Sequence, residues 1–299
     1  MGKRFLVVVA DDYGIGPGTS QAILELGQLG RVNGTTLLVN SPHALSAVEA
    51  WKVAGKPLDL GWHPNLTLDR PLSAPEKCRS LVDPQGKFWE LPEFLKRVHF
   101  GQISEADVEL EFREQLSQFR QIVGEWPILI NSHQHCSLFE PVNSALARIL
   151  QEFPVKPWVR RVREPLSSYW NIPGGRLKRV WLGWLGRRQG KQLDAMALPG
   201  PLWMLGLTNP NCLEDEDFFV RWIQSAKGDR VELMCHPGLE DTTLIGRDSP
   251  VNDPRLARRL AENRLLRGDS FPKAVADAGF VLSRPYFLLG DGEGQKNAA

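Results

Sequence analysis

Two adjacent carboxylates, Asp11 and Asp12, close the apolar run Phe5-Leu-Val-Val-Val-Ala10. Carboxylates emerging from such a run are expensive to bury unless a cation or a proton compensates them. Successive residues on a strand point in opposite directions, so the two acids are expected to play different roles, one binding a metal and the other acting as a base beside metal-bound water. Taken alone, the pair reads equally well as a helix N-cap followed by a solvated loop aspartate. Three further stretches bear on the choice. His63 follows an apolar strand in Gly61-Trp62-His63-Pro64-Asn65-Leu66-Thr67, His133 and His135 follow Ile128-Leu-Ile130, and His236 follows Val231-Glu-Leu-Met-Cys235. Four of the six histidines thus sit immediately after expected strands, on the edge where the aspartates emerge. An Asp with two His is a sound ligand set for a catalytic divalent ion that keeps a position open for water. Water so bound loses its proton near neutral pH, and the pattern points to metal-assisted hydrolysis.

The elements that must position these residues follow one rhythm. Residues 4–10 suit a strand buried on both faces. Helical spacing predicts helices over 19–29, 44–53, 104–124 (with an N-cap at Ser104) and 141–150. Further strands are expected at 37–39, 58–63, 127–131, 158–162, 231–235 and 280–282. Strands alternating with helices imply βαβ units and a mainly parallel sheet. At least six such strands in 299 residues favour a (β/α) barrel over an open sheet. Residues 1–299 are read as one such α/β domain without internal repeats. The C-terminal ends of its strands are where a site belongs.

One segment breaks the rhythm. From Lys156 to Lys191 there are ten Lys or Arg against Glu164 alone, a balance of +9 that leaves the rest near −8 (26 basic, 34 acidic). Leu177, Val180, Trp181, Trp184 and Leu185 fall on one helical face, flanked by Arg176, Lys178, Arg179, Arg187 and Arg188. The basic, Trp-rich stretch within 165–228 is read as an insertion or lid over the barrel mouth. Its plain form is a helix packed by that face with solvated cations outside. Its functional form lies on an anionic bilayer or receives a lipid-linked sugar. Trp158, Trp170, Trp181, Trp184 and Trp203 could stack on sugar rings, although core packing is the commoner use of tryptophan.

Other signals exclude more than they assign. The net charge of +1 gives no reason to expect nucleic acid. No run approaches the roughly 18 apolar residues of a membrane span, and the start lacks the apolar core and cleavage site of a signal peptide. The cysteines at 78, 136, 212 and 235 have no CxxC spacing, so reduced thiols in a cytoplasmic protein are expected. Gly14-Ile-Gly16-Pro-Gly18 departs from the dinucleotide fingerprint, and the preceding aspartates would repel a pyrophosphate; the glycines are read as a tight turn that lets substrate approach. Cys136 and Cys235 are read as core packing rather than zinc ligands, and Ser132 has no triad partners. A homo-oligomer stays open.

Ala10-Asp11-Asp12-Tyr13-Gly14, Gly61-Trp62-His63-Pro64-Asn65-Leu66, Asn131-Ser132-His133-Gln134-His135 and Cys235-His236-Pro237-Gly238 resemble, in order, the four signature stretches of the YdjC-like carbohydrate deacetylases. The resemblance covers residues 4–165 and 228–283. It implies a distorted (β/α) barrel and removal of N-acetyl groups from amino sugars such as chitooligosaccharides, free or conjugated. Carried over position by position, it makes Asp12, His63 and His133 the ligands of one divalent ion, zinc or magnesium. It makes Asp11 the general base and His236 the acid that protonates the leaving amine. His135, Asn65 and Tyr13 are expected at the sugar; for His135 the alternative is to replace His133 as ligand. The family's third stretch usually reads Asp-Ser-His-His/Gln-His-Val-His. Here Asn131 replaces the leading Asp and Ser137 the final His, changes that bear on ligand orientation and substrate. Two other functions remain. A phosphoester hydrolase would need a two-metal cluster with more bridging acids. A non-enzymatic sugar-binding relative would release no acetate.

Overall fold

The computed structural model describes residues 2–207, 215–248 and 254–289; Cys212 lies outside them. The first half of the chain runs β1 (Arg4–Tyr13), α1 (Pro17–Gln28), β2 (Gly34–Leu37), α2 (Ala44–Val53), β3 (Asp59–Trp62), α3 (Leu91–His99), α4 (Glu105–Val123), β4 (Leu129–Ile130) and α5 (Val142–Gln151). The second half runs β5 (Trp158–Val159), α6 (Ser168–Asn171), α7 (Arg176–Ala195), β6 (Trp203–Leu205), α8 (Phe218–Ser225), β7 (Arg230–Cys235), α9 (Pro254–Arg267), α10 (Ser270–Asp277) and β8 (Phe280–Leu282). Ser104 caps α4 as expected, its side chain accepting from Asp107 N at 3.3 Å.

The strands pair in parallel in the order β5-β4-β3-β2-β1-β7-β6, with β8 against the first residues of β1. The expected barrel has an open seam. β5 and β6 do not pair as strands, but Val159 N donates to Pro199 O and Met204 N to Arg163 O, each at 2.8 Å. β5 is therefore shorter than the expected 158–162, while β6 is a strand that periodicity did not predict.

β1 is buried on both faces, as its valine run requires. Val7 and Val9 pack with Leu129 and Trp158. Leu6, Val8 and Ala10 turn to the helices and join Ile23, Leu26 and Val48. Asp11 continues the inward series 7, 9, 11, so one strand fills the lower core with valine and carries an acid to its upper end.

The segment 165–228 holds β6 as well as the helices α6, α7 and α8, so part of it belongs to the sheet. The Trp-bearing face of α7 is not its packed face. Leu182, Gly183, Gly186, Gln189, Gly190 and Leu193 are buried, whereas Leu177, Val180, Trp181 and Trp184 are exposed. Arg179, expected as a flanking surface cation, is buried against Glu164 at 2.6 Å.

At the opposite end of the sheet, Asp59 accepts from Tyr286 N at 2.7 Å, and burial raises its carboxyl to about 6 despite that bond and Arg284. Its folded value lies above its unfolded one, so the folded state holds the extra proton. Stability should therefore fall as pH rises from about 4 to about 6 by up to about 3 kcal/mol. Asp59→Asn should flatten that part of the profile in urea melts, without changing activity.

Candidate metal centre and active site

β1 is regular to Ala10, after which its register with β2 shifts before Tyr13. Asp12 takes φ 66°, a left-handed conformation that costs about 1 kcal/mol for a residue with a Cβ. Simple alternation would send Asp12 away from Asp11. The irregularity instead turns both carboxylates into one buried cluster. His63 N prolongs the sheet by donating to Leu37 O at 3.0 Å, and His133 N donates to Pro64 O at 3.0 Å. The loops after β3 and β4 thus fix each other.

Asp12 Oδ1 lies 3.2 Å from His63 Nε2 and 2.9 Å from His133 Nδ1. Among the described residues these three form the one group whose ligand atoms all lie within 4.8 Å of one another. The second oxygen, Oδ2, accepts from Arg259 Nη2 at 2.7 Å, and the same nitrogen reaches Asp248 at 3.3 Å. His63 Nδ1 meets Thr36 Oγ1 at 3.1 Å and Asn131 Oδ1. An amide oxygen only accepts, so Nδ1 carries a proton and donates it there, which turns Nε2 toward Asp12. Asn131 Nδ2 donates to Asp11 Oδ1 at 2.8 Å. Its amide is therefore oriented from both sides, and the departure from the family's usual Asp ties Asp11 to a candidate ligand.

Asp11 is gripped from the far side. Arg160 donates Nη1 to Oδ2 at 2.5 Å and Nη2 to Oδ1 at 2.7 Å, while its Nε reaches Glu232 Oε1 at 2.5 Å. Trp158 Nε1 holds the other oxygen of Glu232 at 2.8 Å. Burial pushes the Asp11 carboxyl up, but the Arg160 charge and hydrogen bonds outweigh it and hold the group at about 2. His236 Nε2 stands 3.9 Å from Asp11 Oδ2, and its backbone N–H donates to Glu262. Burial and Arg258 lower its imidazole to about 4, so it is neutral at pH 7.

The donor set suits a hard or borderline divalent cation. Asp12 is held well below the ordinary carboxylate range by Arg259 and His133 against the opposing effect of burial, and His133 is raised above its ordinary value by Asp12. Around the trio, among the described residues, four buried carboxylates, Asp11, Asp12, Glu232 and Asp248, face three guanidinium groups, Arg160, Arg259 and Arg255. Among the described residues, His133 Nε2 and His236 Nδ1 are buried without partners. A buried donor set rich in carboxylates and with unmet ring nitrogens accommodates a cation and a polar reactant.

Asp11, Asp12, His63, His133 and His236 come together; Tyr13 and Asn65 do not join them, and His135 stands within electrostatic reach of Asp11 and His236 without belonging to the ligand group. Tyr13 is fully buried and donates to Ala47 O at 2.6 Å, tying β1 to α2. Asn65 is buried too, its Nδ2 donating to Leu68 O and Asn40 Oδ1 and its Oδ1 accepting from Thr67 N and Leu68 N. Both are buried, the Tyr13 O–H and every amide hydrogen-bonding position of Asn65 already engaged within the protein. His135, at φ 57°, lies outside the ligand group and lines a small cavity with Ser137, Arg160 and Gln189. The glycines after β1 serve the protein and not the substrate. A Cβ at Gly16 would come within 2.4 Å of Asp241 Oδ2, and Gly18 N donates to that oxygen at 2.8 Å. Sequence reasoning missed Arg160, Glu232 and Arg259. Arg160 directly follows β5 on the site edge, a signal obscured by the basic segment around it.

Comparison with known proteins places the chain among relatives of one family. A carbohydrate deacetylase of Halalkalibacterium halodurans is 28% identical over 253 residues, 82% of this chain and 90% of that protein. A carbohydrate deacetylase of Mus musculus is 34% identical over 152 residues, about half of each chain (50% and 48%). A crystal structure from Enterococcus faecalis, whose suggested role is cellobiose-phosphate cleavage, shares the fold with a TM-score of 0.77 at 22% identity, over 97% of this chain and 100% of that one. The YdjC-like protein family model matches residues 5–277, and the chain belongs to that family.

Proposed function

We propose that this protein is a metal-dependent carbohydrate deacetylase that hydrolyses the N-acetyl amide of an amino sugar. The observation that carries the reading is the union of Asp11, Asp12, His63, His133 and His236 in one cluster at the C-terminal ends of β1, β3, β4 and β7. It is supported by relatives of the same family that are carbohydrate deacetylases. In this reading Asp12, His63 and His133 hold one divalent ion, with zinc favoured over magnesium by the two imidazoles. The bound ion supplies Lewis acidity for the amide carbonyl and for water.

The chain's own residues do the rest. Asp11, kept ionised by Arg160, orients the attacking water and receives its proton. His236, 3.9 Å away, is neutral at rest, and an imidazole with so low a value becomes a strong acid once protonated. That suits it to take up the proton that Asp11 receives from water and to hand it to the leaving nitrogen, which leaves both side chains as they began; an amine leaves poorly without a proton. The turn carrying His133 and His135 packs against α7, which suits α7 as one wall of the sugar mouth. Cys78, Cys136 and Cys235 are buried free thiols, in keeping with a reducing cytoplasmic location.

Acetate release from a panel of N-acetylated sugars, before and after chelation, tests the reading. Chelation is expected to remove nearly all activity and re-addition of zinc or magnesium to restore it, with metal content near one per chain. Acetate release that survives complete removal of metal would refute it, as would a panel that yields no acetate from metal-loaded protein.

A further inference from the structure

We infer that the outward face of α7 is a docking surface for an anionic lipid bilayer. The inference does not depend on the reaction proposed above. It starts from an apolar face that the described residues leave largely uncovered, Phe139 packing on Trp181 alone. Leu177 is 88% exposed, Trp184 60%, Trp181 47% and Val180 46%, and Trp170, stacked on Arg176, is 75% exposed. Scattered exposed apolar residues need no explanation, but a contiguous aromatic stripe on one helix marks an interaction site.

The helix cannot rotate to bury that stripe. Its opposite face is built on close backbone approach, since a Cβ at Gly186 would lie 1.7 Å from Val162 O and one at Gly183 2.3 Å from Tyr169 Oη. Gln189 Nε2 donates to Ser137 O at 2.7 Å, and Arg179 is locked to Glu164. Both buried anchors and glycines therefore fix which face points outward.

Charge identifies the occupant. At spacings of i, i+4, i+7, i+11 and i+14, Leu177, Trp181, Trp184, Arg188 and Lys191 form one stripe, with Lys178 at its flank. An apolar, tryptophan-bearing face bordered by Lys and Arg matches a helix lying in the plane of a bilayer, with rings at headgroup depth and cations on the phosphates. A two-fold contact with a second copy, centred on Trp184, would instead set Arg188 and Lys191 against the apolar end of the other copy's stripe, which offers them no anion. Among the described residues no helix is long and apolar enough to cross a membrane, so the contact is peripheral. Because α7 packs against the turn carrying His133 and His135, docking would hold the site close to the lipid surface.

Co-sedimentation of the full chain with vesicles tests this. Vesicles of phosphatidylcholine with a third phosphatidylglycerol should retain the protein, and phosphatidylcholine alone should not. Trp181→Ala with Trp184→Ala should weaken retention about tenfold or more, and Arg188→Glu or Lys191→Glu about fivefold each or more. Trp184, Arg188 and Lys191 project outward, so their variants should leave the thermal unfolding midpoint in place. Trp181 packs on Phe139 at 5.4 Å, so Trp184→Ala alone, weakening retention about threefold or more at an unchanged midpoint, separates lost docking from lost packing. Two results overturn the inference: retention equal on both vesicle types or unchanged in the Trp variants, and a dimer in solution that Trp184→Glu splits while vesicles retain nothing.

Discussion

Asp11→Asn is expected to keep its bound metal and to lower acetate release by roughly 10²- to 10⁴-fold, the usual contribution of one positioned acid–base group. The substitution preserves shape but exchanges an acceptor for a donor. Arg160 donates to both oxygens of Asp11, and Asn131 adds a third bond to one of them. Whichever way the new amide turns, its NH2 meets a donor. A loss of stability of about 1–3 kcal/mol should accompany the loss of rate, because a buried donor is left opposed. Metal analysis and a urea melt separate these effects, and His63→Ala provides the contrast by losing metal and activity together. An active Asp11→Asn protein with its metal in place would show that the two aspartates have been given the wrong roles.

How much of this was legible in the sequence depended on whether a feature was local. His63, His133 and His236 each follow a strand whose apolar run announces it, so their meeting at one sheet edge could be foreseen from βαβ topology alone. Both aspartates were expected at that edge in different roles, but not the route by which alternating side chains reach one cluster, a backbone irregularity at φ 66° that no side-chain pattern encodes. Arg259 reaches Asp12 across 247 positions from α9, and nothing in its own neighbourhood advertises that contact. Tyr13 and Asn65 lie inside signature stretches and were read as substrate contacts. Their hydrogen bonds go to Ala47, Leu68 and Asn40, so these positions shape the loops that carry the ligands. For α7 the spacing identified the apolar stripe correctly but could not say which way it faces. A glycine face has no hydrophobic signal, yet close backbone approach made it the buried one.

Arg160→Met should be among the most destabilising single changes in the protein. Arg160 is 3% exposed and is shared between two buried carboxylates, Asp11 and Glu232. Removing it leaves both acids buried without their cation, a change that costs about 3–5 kcal/mol out of a total stability on the order of 5–15 kcal/mol. The sign of the pH dependence distinguishes this from a simple packing defect. In the wild type Asp11 is held at about 2, below its unfolded value, so its contribution is present above about 4 and fades as pH falls through that range toward 2. Without Arg160 the burial effect, the largest of those acting on Asp11, is opposed only by His63, His236 and the Asn131 bond, and is expected to raise Asp11 above its unfolded value, so the variant gains stability on acidification. The difference between the two proteins in urea melts should therefore be large at neutral pH and shrink toward pH 4. Adding Glu232→Gln should recover part of the loss at neutral pH, because one of the two abandoned charges is gone. A cost under about 1 kcal/mol, or one that does not change with pH, would mean that the guanidinium does not govern Asp11. The charge state of the proposed base would then have to be set from the metal side alone, through Asn131 and His63.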